Sequence, residues 1–194
     1  MKDLAVRRLT ADYAMNVADL FRSSSADHEI RDLYYAGQRA ASHRDELLQR
    51  LDFYAASVGP HVILESLIEE VGTLTLTEDL LIKLDWNSAN VFLSDGRIHQ
   101  FIDFEQAFIG TAEILVGVLL HNPIWHAPTL FRVLRQEDHC GLEIDQVHPY
   151  LSYSFGSMLI DSVERRGHAW DNGRLETAYQ RHVTDRFNQL MARR

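Results

Sequence analysis

Cysteine is almost missing from this chain: Cys140 is the only one in 194 residues. That excludes an intramolecular disulfide and any metal centre built on several thiolates. No apolar run approaches the roughly 20 residues that a membrane-spanning helix needs. The basic opening MKDLAVRRLT is not followed by the apolar core of a signal peptide. No membrane partner and a cytoplasmic setting are therefore expected. Proline is scarce, with four in the chain, and neither it nor glycine gathers into a linker, so a single domain over 1–194 is expected. Cations are also in deficit, 19 Lys and Arg against 28 Asp and Glu, for a net charge of −9. Nucleic-acid binding relies on Lys and Arg to neutralise phosphates, so no nucleic-acid partner is expected, and a cationic small molecule suits the charge better. No Gly-x-Ser-x-Gly elbow is present. His121, His126 and His139, the last beside Cys140, stand at spacings that match no compact zinc ligand set.

What remains is an ordinary globular composition, 46% hydrophobic and 24% charged, with enough apolar surface for a core. Helical spacing dominates both ends of the chain. Thr10 reads as the N-cap of a helix carrying Tyr13, Val17, Leu20 and Phe21. A longer helix is expected over about 27–57, with a break near Gly37 or Ser42, stopped by Gly59-Pro60. A short amphipathic helix follows over 62–71. Beyond Gly110, TAEILVGVLLH reads as a buried helix, Pro128-Thr129 opens another, and Pro149 starts a stripe that ends at Gly167. A last helix is expected from about Gly173 to Met191. Glu143, Asp145, Asp161 and Glu164 read as scattered charge on helix surfaces rather than as one pocket.

Between the helical regions lies LIKLDWNSANVFLSDGRIHQFIDFEQAF, Leu81 to Phe108. Leu81–Lys83 and Val91–Leu93 are short apolar runs, and 98–104 alternates as a third strand around the turn Ser94-Asp95-Gly96. Asp85 and Asn90 bracket a loop, and Asp103 follows the returning strand. Two carboxylates and an amide at strand ends suit a hard cation such as magnesium, which takes oxygen ligands and shares them with a substrate phosphate. The fold class expected is α+β, mostly helical, with helices over 1–80, the acid-bearing hairpin over 81–108 and helices over 109–194.

On Asp85-Trp86-Asn87-Ser88-Ala89-Asn90 and Ile102-Asp103-Phe104-Glu105, with Asp103 thirteen positions after Asn90, the chain resembles the aminoglycoside phosphotransferase and choline kinase group. That group is the small-molecule branch of the protein-kinase-like fold. The resemblance implies that the chain is the C-terminal lobe of such a fold and that it transfers the γ-phosphate of ATP to a small-molecule hydroxyl with magnesium. It makes Asp85 the catalytic base and Asn90 and Asp103 the metal ligands. Lys83, standing where the group commonly has histidine, is in place to contact a phosphate. Glu105 is in place to extend the same pocket, so both are expected to bind the cofactor. No Gly-rich strand-turn-strand able to cover ATP phosphates precedes Asp85. The expected N-terminal ATP-grasping lobe is therefore either outside these residues, making the chain a fragment, or missing altogether. The alternative to an active phosphotransferase is a catalytically degenerate lobe that binds or regulates. A third reading is a helical interaction domain whose hairpin acids are coincidental.

Overall fold

Apolar spacing and capping chemistry account for most of the helix boundaries. The computed structural model describes residues 2–26, 40–76, 80–83, 90–94, 97–101, 107–122, 125–136, 142–167 and 169–192, and these are mostly helical. Helix α1 spans Lys2–Ala26, so the start suggested by Thr10 is corrected. Thr10 is fully buried inside the helix, its Oγ1 donating to the Val6 carbonyl at 2.7 Å and accepting from the His126 N–H at 3.2 Å. A hydroxyl bonded back to the preceding turn has no need to cap, and Tyr13, Ala14 and Val17 continue the same buried face. Of the helix expected over 27–57, residues 27–39 lie outside the described residues, and α2 occupies Ala40–Val58. Gly59 ends it with φ 88° and an N–H bond to the Ala55 carbonyl at 2.9 Å, a left-handed stop that glycine adopts without penalty. Helix α3, Val62–Gly72, is capped by His61, whose Nδ1 accepts from the Ile63 N–H at 3.2 Å, and it buries Leu64, Leu67 and Val71.

Among the described residues four short strands follow: β1 Leu80–Lys83, β2 Val91–Ser94, β3 Arg97–Phe101 and β4 Ala107–Gly110. The β2–β3 hairpin is antiparallel and closes with Ser94 opposite Arg97, leaving Asp95-Gly96 as a two-residue connection. Phe92 pairs with Gln100 but Leu93 pairs with Ile98, so His99 is an extra residue that bulges the strand. β3 ends at Phe101 as described, and positions 102–104 of the expected strand lie outside the described residues. β1 does not extend this hairpin. It pairs antiparallel with β4, a strand that the four-residue run AFIG does not announce, to form a second two-stranded ladder. Helix α1 packs on β1 and β3, and α2 on β4.

Helix α4, Ala112–His121, is capped by Thr111, whose Oγ1 accepts from the Ile114 N–H at 3.2 Å. Ile114 through Leu120 are all buried, as an almost wholly apolar run requires. It packs against β1, against α5 (Ala127–Gln136) and against α6 (His148–Arg166). Pro149 lies in the first turn of α6, and Gly167 closes it at φ 68°. A 3₁₀ turn at Ile144–Gln146 precedes it. The last helical stretch begins with α7, Asn172–Tyr179, capped by Asp171, passes through a π segment at Gln180–Thr184 and ends as α8, Asp185–Met191. None of the described helices is long and apolar enough to cross a membrane.

Arg186 fastens the end of α4 to α8. It is 4% exposed, and its guanidinium donates to the carbonyls of Leu120 at 2.6 Å, Trp125 at 2.7 Å and Asn122 at 3.1 Å. Leu120 is in the last turn of α4, whose carbonyls a helix C-terminus leaves unpaired, and Asn122 and Trp125 belong to the chain that follows it. Burial lowers the Arg186 pKa to about 10, so the cation persists at neutral pH.

Beside it, His121 stacks on His182 with ring centroids 4.6 Å apart. Burial first, then the charges of His182 and Arg186, pulls His121 down to about 3, and burial likewise lowers His182 and His43. The unfolded chain takes up these protons near pH 6.5 while the folded chain refuses them, so stability is full above about pH 6.5 and falls as pH drops below it. Urea unfolding is expected to give a lower midpoint at pH 5.5 than at 7.5, with a smaller drop in His121→Phe. A midpoint that holds or rises on acidification would contradict this.

Candidate functional site

The two ladders are joined by two connections, and the strand register ties the ends of these connections together. Lys83, the last residue of β1, pairs with Ala107, the first of β4; Val91, the first of β2, pairs with Phe101, the last of β3. One connection, 84–90, runs from the first pair to the second, and the other, 102–106, runs back. In sequence, Asp85 stands two positions beyond Lys83 and Glu105 two before Ala107, while Asn90 directly precedes Val91 and Asp103 stands two beyond Phe101. Asp85, Asp103 and Glu105 themselves lie outside the described residues. Lys83 closes β1 at the first pair, and Asn90 enters β2 at the second with only 8% of its surface exposed. A buried amide so close to a strand start has a fixed position, since burial restricts its side chain and demands satisfied polar atoms.

Two polar groupings in the structure were not singled out by sequence reasoning. A cleft of about 570 Å³ opens beside the first turn of α4, where Glu113 and Tyr150 share its lining with Thr73, Thr75 and Gln146. Burial, and then the Glu113 charge, raises the Tyr150 pKa. This cleft lies toward the Leu80–Gly110 end of the β1–β4 ladder. Four paired residues at about 3.3 Å each put that end about 10 Å from the Lys83–Ala107 end.

The second grouping centres on Glu70. Its Oε2 accepts from Ser152 Oγ at 2.5 Å and pairs with His148 Nδ1 at 3.0 Å, and its Oε1 accepts from Ser66 Oγ at 3.1 Å. Burial works to raise the Glu70 pKa, but the bonds from His148 and Ser152, the His148 charge and the Ser66 bond outweigh it and hold the carboxyl below its usual range. A hydrolytic triad needs the imidazole between acid and hydroxyl. Here the carboxylate sits between the other two, so Ser152 donates to the acid and gains no base. The network joins α3 to α6. The one sequence signal for it was a glutamate three positions after the buried Leu67, on the edge of an otherwise apolar face.

Three of the acids beyond the hairpin are held by arginines. Glu143 pairs with Arg135 at 2.9 Å, Asp161 with Arg165 at 2.9 Å and Glu164 with Arg50 across to α2, while Asp145 is exposed. His126 sits at the start of α5, where its Nδ1 accepts from the Thr129 N–H at 3.3 Å. Among the described residues, no three His, Cys, Asp or Glu side chains gather closely enough to hold a metal ion. No protein-family model, curated protein or solved structure matches the chain.

Proposed function

We propose that the chain is the helical lobe of a small-molecule phosphotransferase of the aminoglycoside phosphotransferase and choline kinase type, moving the γ-phosphoryl group of ATP to a hydroxyl. The observation that carries this reading is the strand register, because Lys83 opposite Ala107 and Val91 opposite Phe101 bring together the ends of the connections bearing Asp85, Asn90, Asp103 and Glu105. Phosphoryl transfer asks a protein for positioning and charge neutralisation more than for covalent chemistry, and acids on two short connections between ladders answer that need. In this reading Asp85 orients the acceptor hydroxyl and takes its proton as the oxygen attacks phosphorus and ADP leaves. Asn90 and Asp103 hold magnesium, for which an all-oxygen donor set of amide and carboxylate is suited. When bound, that ion offsets the charge on the phosphates. In the same reading Lys83 contacts a phosphate and Glu105 extends the pocket.

The reading carries with it a cytoplasmic setting and joint grip of ATP with a Gly-rich lobe supplied from outside these residues. Incubation of the protein, expressed from its full reading frame, with γ-labelled ATP, magnesium and a panel of small alcohols is expected to label an alcohol. Removing magnesium with EDTA is expected to stop the transfer. Transfer that survives EDTA would overturn the metal assignment. MgATP binding with no transfer would select the degenerate binding lobe, and neither binding nor transfer would remove the phosphotransferase reading altogether.

A further inference from the structure

In a chain of net charge −9, one cleft is lined by four arginines. It lies between α1 and α5, with a volume of about 960 Å³, and Arg7 and Arg8 face it from α1 while Arg132 and Arg135 face it from α5. Apart from His126 and Thr129 its remaining wall is apolar, with Ala11, Pro128, Phe131, Ile144 and Leu190, and no carboxylate is among the described residues that line it. Arg135 is engaged with Glu143 at 2.9 Å and stands 6.0 Å from the Phe131 ring centroid. Arg8 and Arg132 are both exposed and make no hydrogen bond or ion pair among the described residues. None of the lining residues belongs to the strands or to the connections between them.

We propose that this cleft binds a small amphipathic anion, a carboxylate, sulfonate or phosphate carried on a compact aromatic or short aliphatic body. The two helices present guanidinium groups from opposite sides. The planar forks of Arg8 and Arg132, one from each helix, match a carboxylate or phosphate edge with paired, charge-assisted hydrogen bonds. The first turn of α5, with His126 and Thr129 in the lining, adds the positive end of a helix to the same field. The apolar lining asks for more than an inorganic ion, because the half-buried Ala11, Pro128 and Ile144 keep apolar surface in the cleft that a bare phosphate would not cover. The volume is that of a small-molecule pocket. An extended polyanion is a poor fit, because its affinity comes from many cations along a surface and this chain is acidic overall. Concentrating four arginines in one place against that background is a local attraction that solubility does not call for.

The test is a fluorescence titration with 8-anilinonaphthalene-1-sulfonate, an aromatic sulfonate, run beside its uncharged analogue N-phenyl-1-naphthylamine. Expected are one saturable site for the sulfonate, displacement by phenyl phosphate but not by equal inorganic phosphate, and weaker binding as salt rises. Arg8→Glu together with Arg132→Glu is expected to weaken the sulfonate at least about tenfold, as loss and reversal of two charged partners should, with the melting temperature unchanged because both side chains are exposed. If charge reversal does lower the melting temperature, Arg8→Gln with Arg132→Gln makes the same comparison on a folded protein. Sulfonate affinity within about twofold of the parent in the folded variant, or an uncharged analogue that binds as tightly as the sulfonate, overturns the proposal. Phosphotransferase activity does not enter any of these readouts, so this site and the strand site stand or fall separately.

Discussion

Asparagine in place of Asp85 is expected, on the proposed phosphotransferase reading, to cut phosphoryl transfer about 10³-fold, within the range that loss of a general base produces. Asparagine has nearly the size of aspartate and can still receive a hydrogen bond from the acceptor hydroxyl, but its amide has no basicity with which to take the proton. The loss should therefore fall on kcat, with KM for ATP changed less than about threefold, because an interaction needed only as the proton moves is a transition-state interaction. The pH profile separates this from a merely structural defect. The parent's turnover should rise with pH as the carboxyl ionises, and the variant's residual turnover should lack that limb. Asp161→Asn is the control, since Asp161 pairs with Arg165 one turn along the same helix at 2.9 Å, and its activity should match the parent's. Turnover by Asp85→Asn within tenfold of the parent would remove Asp85 from the role of base, leaving the strand register to be explained some other way.

Gly117→Ala is expected to destabilise the fold by about 3 kcal/mol, and Gly117→Val by more. A Cβ built at Gly117 would stand 2.3 Å from the Tyr150 carbonyl oxygen and 2.5 Å from its carbon. Those are backbone atoms of α6, so relief requires the helices to separate, not a side chain to turn. Helix α4 has little room to retreat, since Ile114 to Leu120 are all buried and it also packs on α5 and β1. The sign is the informative part: in a helix interior alanine is favoured over glycine by about 1 kcal/mol, so a position without close neighbours would gain stability. Gly72 is the uncrowded comparison, with nothing within 4 Å of a built Cβ; because it is the last residue of α3, where the interior preference for alanine is mostly lost, Gly72→Ala should leave stability within about 0.5 kcal/mol of the parent. Urea unfolding of the parent and the three variants decides it. A Gly117→Ala midpoint equal to the parent's would mean that the α4–α6 approach is looser than 2.3 Å implies.

What the sequence could determine by itself was local. Asp95-Gly96 places the β2–β3 turn because a two-residue loop between apolar runs needs residues that tolerate positive φ. Gly59 and Gly167 stop helices for the same backbone reason, and the run from Ile114 to Leu120 announces a helix buried on every side. The motif Asp85-x-x-x-x-Asn90 with Asp103 was legible as a set of oxygen donors, because the residue types alone carry that chemistry. Only the tertiary structure decided where Thr10 spends its hydroxyl, since its acceptor role depends on His126, 116 residues away. The same holds for the pairing of β1 with β4 across the hairpin between them, for Arg186 as the anchor of α4 and for the gathering of Arg8 and Arg132 into one cleft. Hydrogen bonds four residues apart and turn backbones leave a mark in neighbouring residues. Strand partners, buried cations and charge clusters depend on which distant elements lie side by side, and no short stretch of chain records that.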